Sequence, residues 1–182
     1  VEGPGGLLEA DPPPCCVIDT TTGDPDQVQA LAARLADRGV AYLDATISGS
    51  STQIRARAAT FMVGGQPEDF QALRPLLALL SDRVFHVGPA GAGSRAKLAS
   101  NLVLGLNRLA LAEGLVFAEA LGLDLEAFLQ VLRNSPACSV VVDTKGPRML
   151  AGRFEPEARL RQHLKDVALM LRCAADRGQD LP

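Results

Sequence analysis

The feature that most constrains this sequence is a change in its apolar pattern at Gly88. Before Gly88, short apolar runs alternate with segments in which apolar residues repeat at helical spacing. After Gly88, only helical patterns follow. Short strands alternating with helices are typical of parallel βαβ units with right-handed crossovers. We therefore predict an α/β domain with a parallel sheet over residues 1–88 and an all-helical domain over 89–182.

Four apolar runs predict the strands, at 15–18, 41–43, 60–63 and 84–87. A helix is predicted after the first strand, because Asp24 can cap it and Pro25 suits the first helical position. Gln27 then stands where a capping box requires a side chain. A second helix is predicted from the spacing of apolar residues over 70–80.

Residues 94–121 are apolar on most faces and predict a central buried helix, and the longest apolar stretch is 102–123. Asn107, Arg108, Glu113 and Glu119 fall inside it. These groups would be costly in lipid, so the pattern favours a core helix over a membrane span. Two further helices are predicted, one after Asp124 and one ending before Gly178. Residues 139–154 should be partly helical, with a break at Gly146–Pro147.

Composition excludes several classes of protein. Hydrophobic residues make up 47% of the 182 positions, which excludes a disordered chain. A net charge of −3 gives no basic excess for nucleic acid or an anionic membrane. The four cysteines form no CxxC pair, so we expect no metal site and small thiols in the core of a cytoplasmic protein.

A glycine-rich segment at 88–97 follows a predicted strand and opens a predicted helix. Gly91 and Gly93 fit a loose dinucleotide fingerprint, but that motif needs a short helix and then a strand ending in an acid. Lys97 does not follow a glycine at the spacing of a phosphate-binding loop. A phosphate-binding role is therefore disfavoured.

Lys97 and Asn101 are four positions apart and share one face of the predicted helix. A lysine near the positive end of a helix, flanked by apolar residues, has its ammonium form disfavoured, which suits proton transfer near neutral pH. Asn101 can orient a neighbouring hydroxyl or carbonyl. On spacing alone, a solvated lysine and an ordinary helical asparagine remain the more common explanation.

Polar segments also follow the first two strands. Residues 44–52 offer hydroxyls and backbone N–H groups that suit a small carboxylate, although a plain serine-rich connection fits equally well. Residues 19–22 can contact a ligand or cap their own turn. Lys165 lies on a helix as either a solvated or a ligand-facing lysine, and His86 is predicted to be a packed core histidine.

Taken in order, these segments resemble the β-hydroxyacid dehydrogenases, the group of 3-hydroxyisobutyrate dehydrogenase and tartronate semialdehyde reductase. The similar segments are Ile18–Thr22, Asp44–Gly49, Met62–Gly65, Gly88–Asn101 and Lys165–Asp166. The resemblance implies a Rossmann-like sheet domain followed by a helical domain like that of 6-phosphogluconate dehydrogenase. It also implies hydride exchange between NAD or NADP and a small 3-hydroxy acid or its semialdehyde.

The resemblance also implies roles for individual residues. Lys97 would transfer the proton and Asn101 would orient the reacting group. The carboxylate would be held by Ser48, Gly49 and Ser50, and the cofactor would be contacted by Thr22 and Lys165.

The sequence departs from the family in places. It lacks the amino-terminal strand with its G-x-G-x-x-G turn, so we expect these residues alone to bind cofactor poorly and to be inactive. Ser50 and Gln53 replace glycines of many relatives, which leaves the hydroxy acid open. The alternative is a non-catalytic dehydrogenase-like module for binding or dimerisation, and in either case residues 102–121 suggest a homo-oligomer formed through the helical domain.

Overall fold

The computed structural model describes residues 1–155 and 160–182. The strands are β1 (Cys16–Asp19), β2 (Ala41–Ser48), β3 (Thr60–Gly64) and β4 (Arg83–Gly88). The helices are α1 (Pro25–Ala36), α2 (Ser51–Arg55), α3 (Pro67–Ala78), α4 (Ala92–Ala120), α5 (Leu125–Arg133), α6 (Val140–Leu150) and α7 (Leu160–Ala175). The chain divides into two compact units, Val1–Leu98 and Ala99–Pro182, and α4 runs through the division. The domain boundary near residue 88 stays a prediction.

Unit 1 contains one four-stranded sheet in the order β1-β2-β3-β4. The pairs β1–β2 and β3–β4 are parallel, whereas β2–β3 is antiparallel. The α/β class is confirmed, but an all-parallel sheet is wrong. Only the short helix α2 lies between β2 and β3, and a parallel crossover needs a longer connection than that.

The second strand is longer than its sequence pattern predicts. β2 continues through Ser48, so residues 44–48 belong to the sheet and not to a serine-rich loop. Asp44 and Thr46 are 1% and 0% exposed. Residues 44–48 alternate polar and apolar side chains, which is itself a strand pattern, but the sequence prediction ended the strand with its last continuous apolar residue, Leu43.

Helix α1 begins as predicted. The Asp24 side chain accepts hydrogen bonds from the backbone N–H groups of Asp26 and Gln27, at 3.0 and 3.4 Å. His86 is packed, as predicted: its Nε2 lies 2.9 Å from the Gly65 carbonyl oxygen, and its ring stacks on Phe70.

Unit 2 has a small core of its own around the buried side chain of Leu129. The predicted break at Gly146–Pro147 is wrong, because α6 continues through both residues. Proline removes one helical hydrogen bond, but burial of Val141 and Val142 against the core stabilises α6. Gly146 allows the close approach, since a Cβ there would lie 2.5 Å from Leu129 Cδ1.

Helix α4 is much more exposed than a central core helix. Val103, Leu109, Val116 and Phe117 are between 56% and 65% exposed. The prediction of a buried helix is therefore wrong for the residues that the structure describes. By length and composition alone, α4 would also suit a membrane span.

The cysteines are not core residues, contrary to the sequence prediction. Cys15 and Cys138 are exposed, Cys16 and Cys173 are partly exposed, and all four are free thiols. Cys16 is the first residue of β1 and is only partly buried.

Candidate functional site

The buried carboxylate of Asp44 holds the start of α4 against the sheet. Its Oδ1 accepts a hydrogen bond from Gly91 N at 3.0 Å, and its Oδ2 accepts one from Ser94 N at 2.8 Å. A carboxylate at a helix N-terminus satisfies N–H groups that have no partner within the helix and interacts favourably with the helix dipole. Asp44 therefore acts as a cap for α4 supplied by a distant strand.

Thr46 strengthens the same junction. Its Oγ1 donates a hydrogen bond to the Gly93 carbonyl oxygen at 2.8 Å, with Met62 O at 3.3 Å. Glycine is required for this approach, because a Cβ at Gly93 would overlap Asp44 O and lie 2.6 Å from Met62 O. A Cβ at Gly64 would likewise overlap Asp44 Oδ1.

This junction accounts for the glycine-rich segment. The N–H groups of Gly91 and Ser94, which a phosphate would need, already bind Asp44. The segment therefore packs α4 onto the sheet instead of binding a nucleotide phosphate. Lys97 lies one turn after Ser94, half-buried on this fixed part of the helix.

Burial also changes the electrostatics of Asp44. Loss of hydration raises the pKa of its carboxyl above the ordinary value of 3.8, while the backbone hydrogen bonds from Ser94 and Gly91 oppose that rise. Sequence analysis quoted Asp44 only as the first residue of a polar segment and missed this role. The available signal was only an acid between two apolar residues, Leu43 and Ala45.

The residues expected to hold the substrate carboxylate lie at the end of β2 and directly after it. Ser48 is its last residue and is partly exposed, while Gly49 and Ser50 are exposed. Ser50 also caps α2: its Oγ accepts from Gln53 N at 3.3 Å, and its own N–H donates to Gln53 Oε1 at 2.8 Å. The sequence Ser50-x-x-Gln53 is a capping box that sequence analysis overlooked.

Thr22 follows β1, which runs parallel to β2. Both chain segments therefore leave the sheet in the same direction. Beside Thr22, Asp19 accepts hydrogen bonds from Thr21 N and from the Tyr42 hydroxyl, each at 2.9 Å. Burial, together with the charge of Asp19, raises the pKa of the Tyr42 phenol. Residues 19–22 thus include a turn capped by the Asp19 carboxylate, whereas the sequence interpretation assigned the cap to the hydroxyls.

An open cleft of about 310 Å³ adjoins this turn. Its polar lining includes Asp19, Asp24, Tyr42 and the ion pair of Arg34 with Glu2, which are 2.8 Å apart. Carboxylates dominate this lining, so the cleft disfavours a polyphosphate.

In unit 2, Asn101 is 6% exposed and its Nδ2 donates a hydrogen bond to Asp166 Oδ2 at 3.2 Å. The other oxygen of Asp166 lies 3.4 Å from Lys165 Nζ. The structure therefore links Asn101 and Lys165 through Asp166, to which sequence analysis assigned no role. Asn101 also lines an apolar cleft of about 160 Å³ together with His163. Among the described residues, no group of three or more His, Cys, Asp or Glu could hold a metal ion.

Comparison with known proteins agrees with this architecture. Residues 1–88 match the family model of the NAD-binding domain of 6-phosphogluconate dehydrogenase. Residues 91–182 match the model described as NAD-binding of NADP-dependent 3-hydroxyisobutyrate dehydrogenase.

Three relatives illustrate the likeness. The chain is 31% identical to 2-hydroxy-3-oxopropionate reductase of Escherichia coli, covering 99% of this chain and 62% of that enzyme. It resembles the structure of Mycobacterium tuberculosis 3-hydroxyisobutyrate dehydrogenase with L-serine, with a TM-score of 0.84, 29% identity, and coverage of 93% of this chain and 61% of that one. It also resembles Psf3 in complex with NADP⁺, with a TM-score of 0.77, 27% identity, and coverage of 86% and 55%.

The chain thus spans about three fifths of the length of these relatives. One family model alone matches half of the chain, and both models describe NAD-binding domains. The chain belongs to the NAD(P)-dependent β-hydroxyacid dehydrogenase family, of the 3-hydroxyisobutyrate dehydrogenase type.

Proposed function

We propose that this protein oxidises the 3-hydroxyl carbon of a small hydroxy acid, or reduces the corresponding semialdehyde. The single observation that supports this most is the fixed start of α4. Asp44 and Thr46 hold the first turn, so the half-buried Lys97 in the next turn has a defined position. Proton transfer needs such a fixed group within reach of the reacting oxygen.

In the oxidation direction, Lys97 takes the proton of the substrate hydroxyl as its O–H bond breaks. In the reduction direction, its ammonium returns a proton to the carbonyl oxygen. When bound by Thr22 and Lys165, a nicotinamide cofactor would supply or accept the hydride at the same carbon. Asn101 keeps the reacting oxygen in place, because its amide is itself held within unit 2.

The substrate carboxylate is assigned to Ser48, Gly49 and Ser50. The hydroxyls of Ser48 and Ser50, together with the backbone N–H of Gly49, can donate several hydrogen bonds to one carboxylate. Because Ser50 Oγ accepts from Gln53 N, its hydroxyl hydrogen is still available for such a bond.

The described residues fit only part of a dinucleotide. Thr22 and Lys165 offer a hydroxyl and an ammonium for the ribose and nicotinamide end. The helices that follow β1 and β4 have N-termini capped by Asp24 and Asp44, and the negative charge of these carboxylates disfavours a pyrophosphate there. Weak cofactor binding by residues 1–182 alone therefore stays a prediction, as do the choice of NAD or NADP and the cytoplasmic location.

The test is turnover by Lys97→Ala and Lys97→Arg in the protein that carries this sequence. Substrates are 3-hydroxyisobutyrate, L-serine and L-threonate with NAD⁺ and NADP⁺, and 2-hydroxy-3-oxopropionate with the reduced cofactors. We expect Lys97→Ala to lower kcat about 10²-fold or more, with NADPH or NADH binding nearly unchanged by fluorescence titration. Lys145→Ala is the control, because Lys145 lies on another helix, α6, and has no proposed role in the reaction.

Turnover of Lys97→Ala within threefold of wild type would refute the proton-transfer role. Cofactor binding without turnover of any of these acids would favour the non-catalytic module.

The apolar face of α4 supports a second proposal, a homo-oligomer formed through the helical domain. The exposed side chains on α4 include Val103, Leu109, Val116 and Phe117, each more than half exposed, and apolar residues exposed together often mark a protein interface. Light scattering should therefore find a dimer or larger assembly, and Phe117→Glu should shift it toward monomer. A monomeric wild type would show that this face is covered within one chain or stays exposed.

A further inference from the structure

We infer that Asp166 is a positioning residue that decides which end of the Asn101 amide meets the substrate. By holding Nδ2, Asp166 presents Asn101 Oδ1 as a hydrogen-bond acceptor for the substrate hydroxyl. This inference rests on the proposed function and specifies one part of it.

The orientation of the amide follows from the chemistry of the pair. An ionised carboxylate can only accept hydrogen bonds, so the amide nitrogen of Asn101 must face it. The Nδ2–Oδ2 distance is 3.2 Å. If the amide were flipped, two oxygens without a proton would stand at that distance, in a place where Asn101 is 6% exposed and the Asp166 side chain 15% exposed. Burial makes such a repulsion expensive, and the flipped form is excluded.

Lys165 contacts the other oxygen of Asp166. Its Nζ lies 3.4 Å from Asp166 Oδ1, so each carboxylate oxygen has its own partner. Lys165, with 58% of its side chain exposed, remains accessible to a cofactor.

The fixed amide has a chemical consequence. Asn101 Oδ1 accepts a hydrogen bond from an alcohol, but it gives none to a carbonyl oxygen. Asn101 held in this way therefore favours the hydroxy acid over the oxo form in the ground state. Loss of Asp166 lets the amide rotate, and this preference weakens.

The experiment is a double-mutant cycle on the active protein with Asn101→Ala and Asp166→Asn. Alone, Asp166→Asn should lower kcat/KM for the hydroxy acid roughly tenfold, about the effect of one misplaced charge-assisted hydrogen bond. In the Asn101→Ala background, Asp166→Asn should have less than a twofold further effect, because a residue that acts through Asn101 has nothing left to position.

Lys165→Met is the matched variant on the other side of Asp166. It should raise the KM for the cofactor, because the Lys165 ammonium is assigned to the nicotinamide end. Thermal unfolding is measured for every variant. If Asp166→Asn does not fold, the same cycle is run with Asp166→Glu, which keeps an ionised acceptor and should retain most of the activity.

Additive effects of Asn101→Ala and Asp166→Asn would overturn this inference while Lys97→Ala still abolished turnover. If Lys97→Ala instead left turnover intact, the proposed function itself would fail, so the two failures are distinguishable.

Discussion

Asp44 Oδ2 accepts a 2.8 Å hydrogen bond from the backbone N–H of Ser94, fifty positions further along the chain. This bond joins the middle of β2 to the first turn of α4. Because Lys97 lies in the next turn, a side chain that performs no chemistry determines where the proposed proton carrier stands.

Replacing Asp44 by Asn should destabilise the protein at neutral pH. The amide keeps one acceptor, but its NH₂ group would face Gly91 N or Ser94 N, and a buried donor would lose its partner. We expect a loss of about 2 kcal/mol in the free energy of unfolding by urea titration. Asp37→Asn, at an exposed position, should change it by less than about 0.5 kcal/mol.

The same pair of proteins tests the ionisation of Asp44. Burial raises the pKa of its carboxyl above 3.8 in the folded protein. The folded state therefore binds this proton more tightly than the unfolded state, and the resulting stability is present below 3.8 and lost as pH rises through the folded-state pKa. The advantage of wild type over Asp44→Asn should accordingly shrink as pH rises through that range. An advantage that grows with pH would contradict the raised pKa.

Much of the fold was predictable because local chemistry decides it. The cap of α1 by Asp24 and the cap of α5 by Asp124 are both present. The antiparallel β2–β3 pair was not predictable from apolar runs, because polar residues at 44 and 46 hid the true length of β2. Their partners lie on β3 and α4, and a strand pattern carries no information on contacts that distant.

The candidate site was predictable to a similar extent. The motifs assigned roles to Lys97, Asn101 and Lys165, but none to the carboxylates of Asp44 and Asp166. Asp44 and Asp166 act through contacts 50 and 65 positions apart in the chain. Sequence spacing reveals partners within one helix, and neither of these pairs shares one.

Glycine packing at the α4 junction gives a matched pair of substitutions. Gly93→Ala should cost about 3 kcal/mol or more, because its Cβ would meet two backbone oxygens, of Asp44 and Met62, that cannot move out of the sheet. Gly114→Ala on the same helix meets nothing within 4 Å and should stabilise the protein by about 0.5–1 kcal/mol. Thermal unfolding of both variants measures the contrast. Equal effects would show that α4 does not need this close approach.

The double use of Ser50 can be separated by measuring stability and KM together. Ser50→Ala removes the oxygen that accepts from Gln53 N, so the start of α2 should lose about 1 kcal/mol. Ser51→Ala is the control, because Ser51 is exposed and is the first residue of the same helix. If Ser50 also donates to the substrate carboxylate, Ser50→Ala should raise the KM for the hydroxy acid about fivefold or more, whereas Ser51→Ala leaves it unchanged. A loss of stability without a change in KM would make Ser50 a helix cap alone and leave the carboxylate to Ser48 and Gly49.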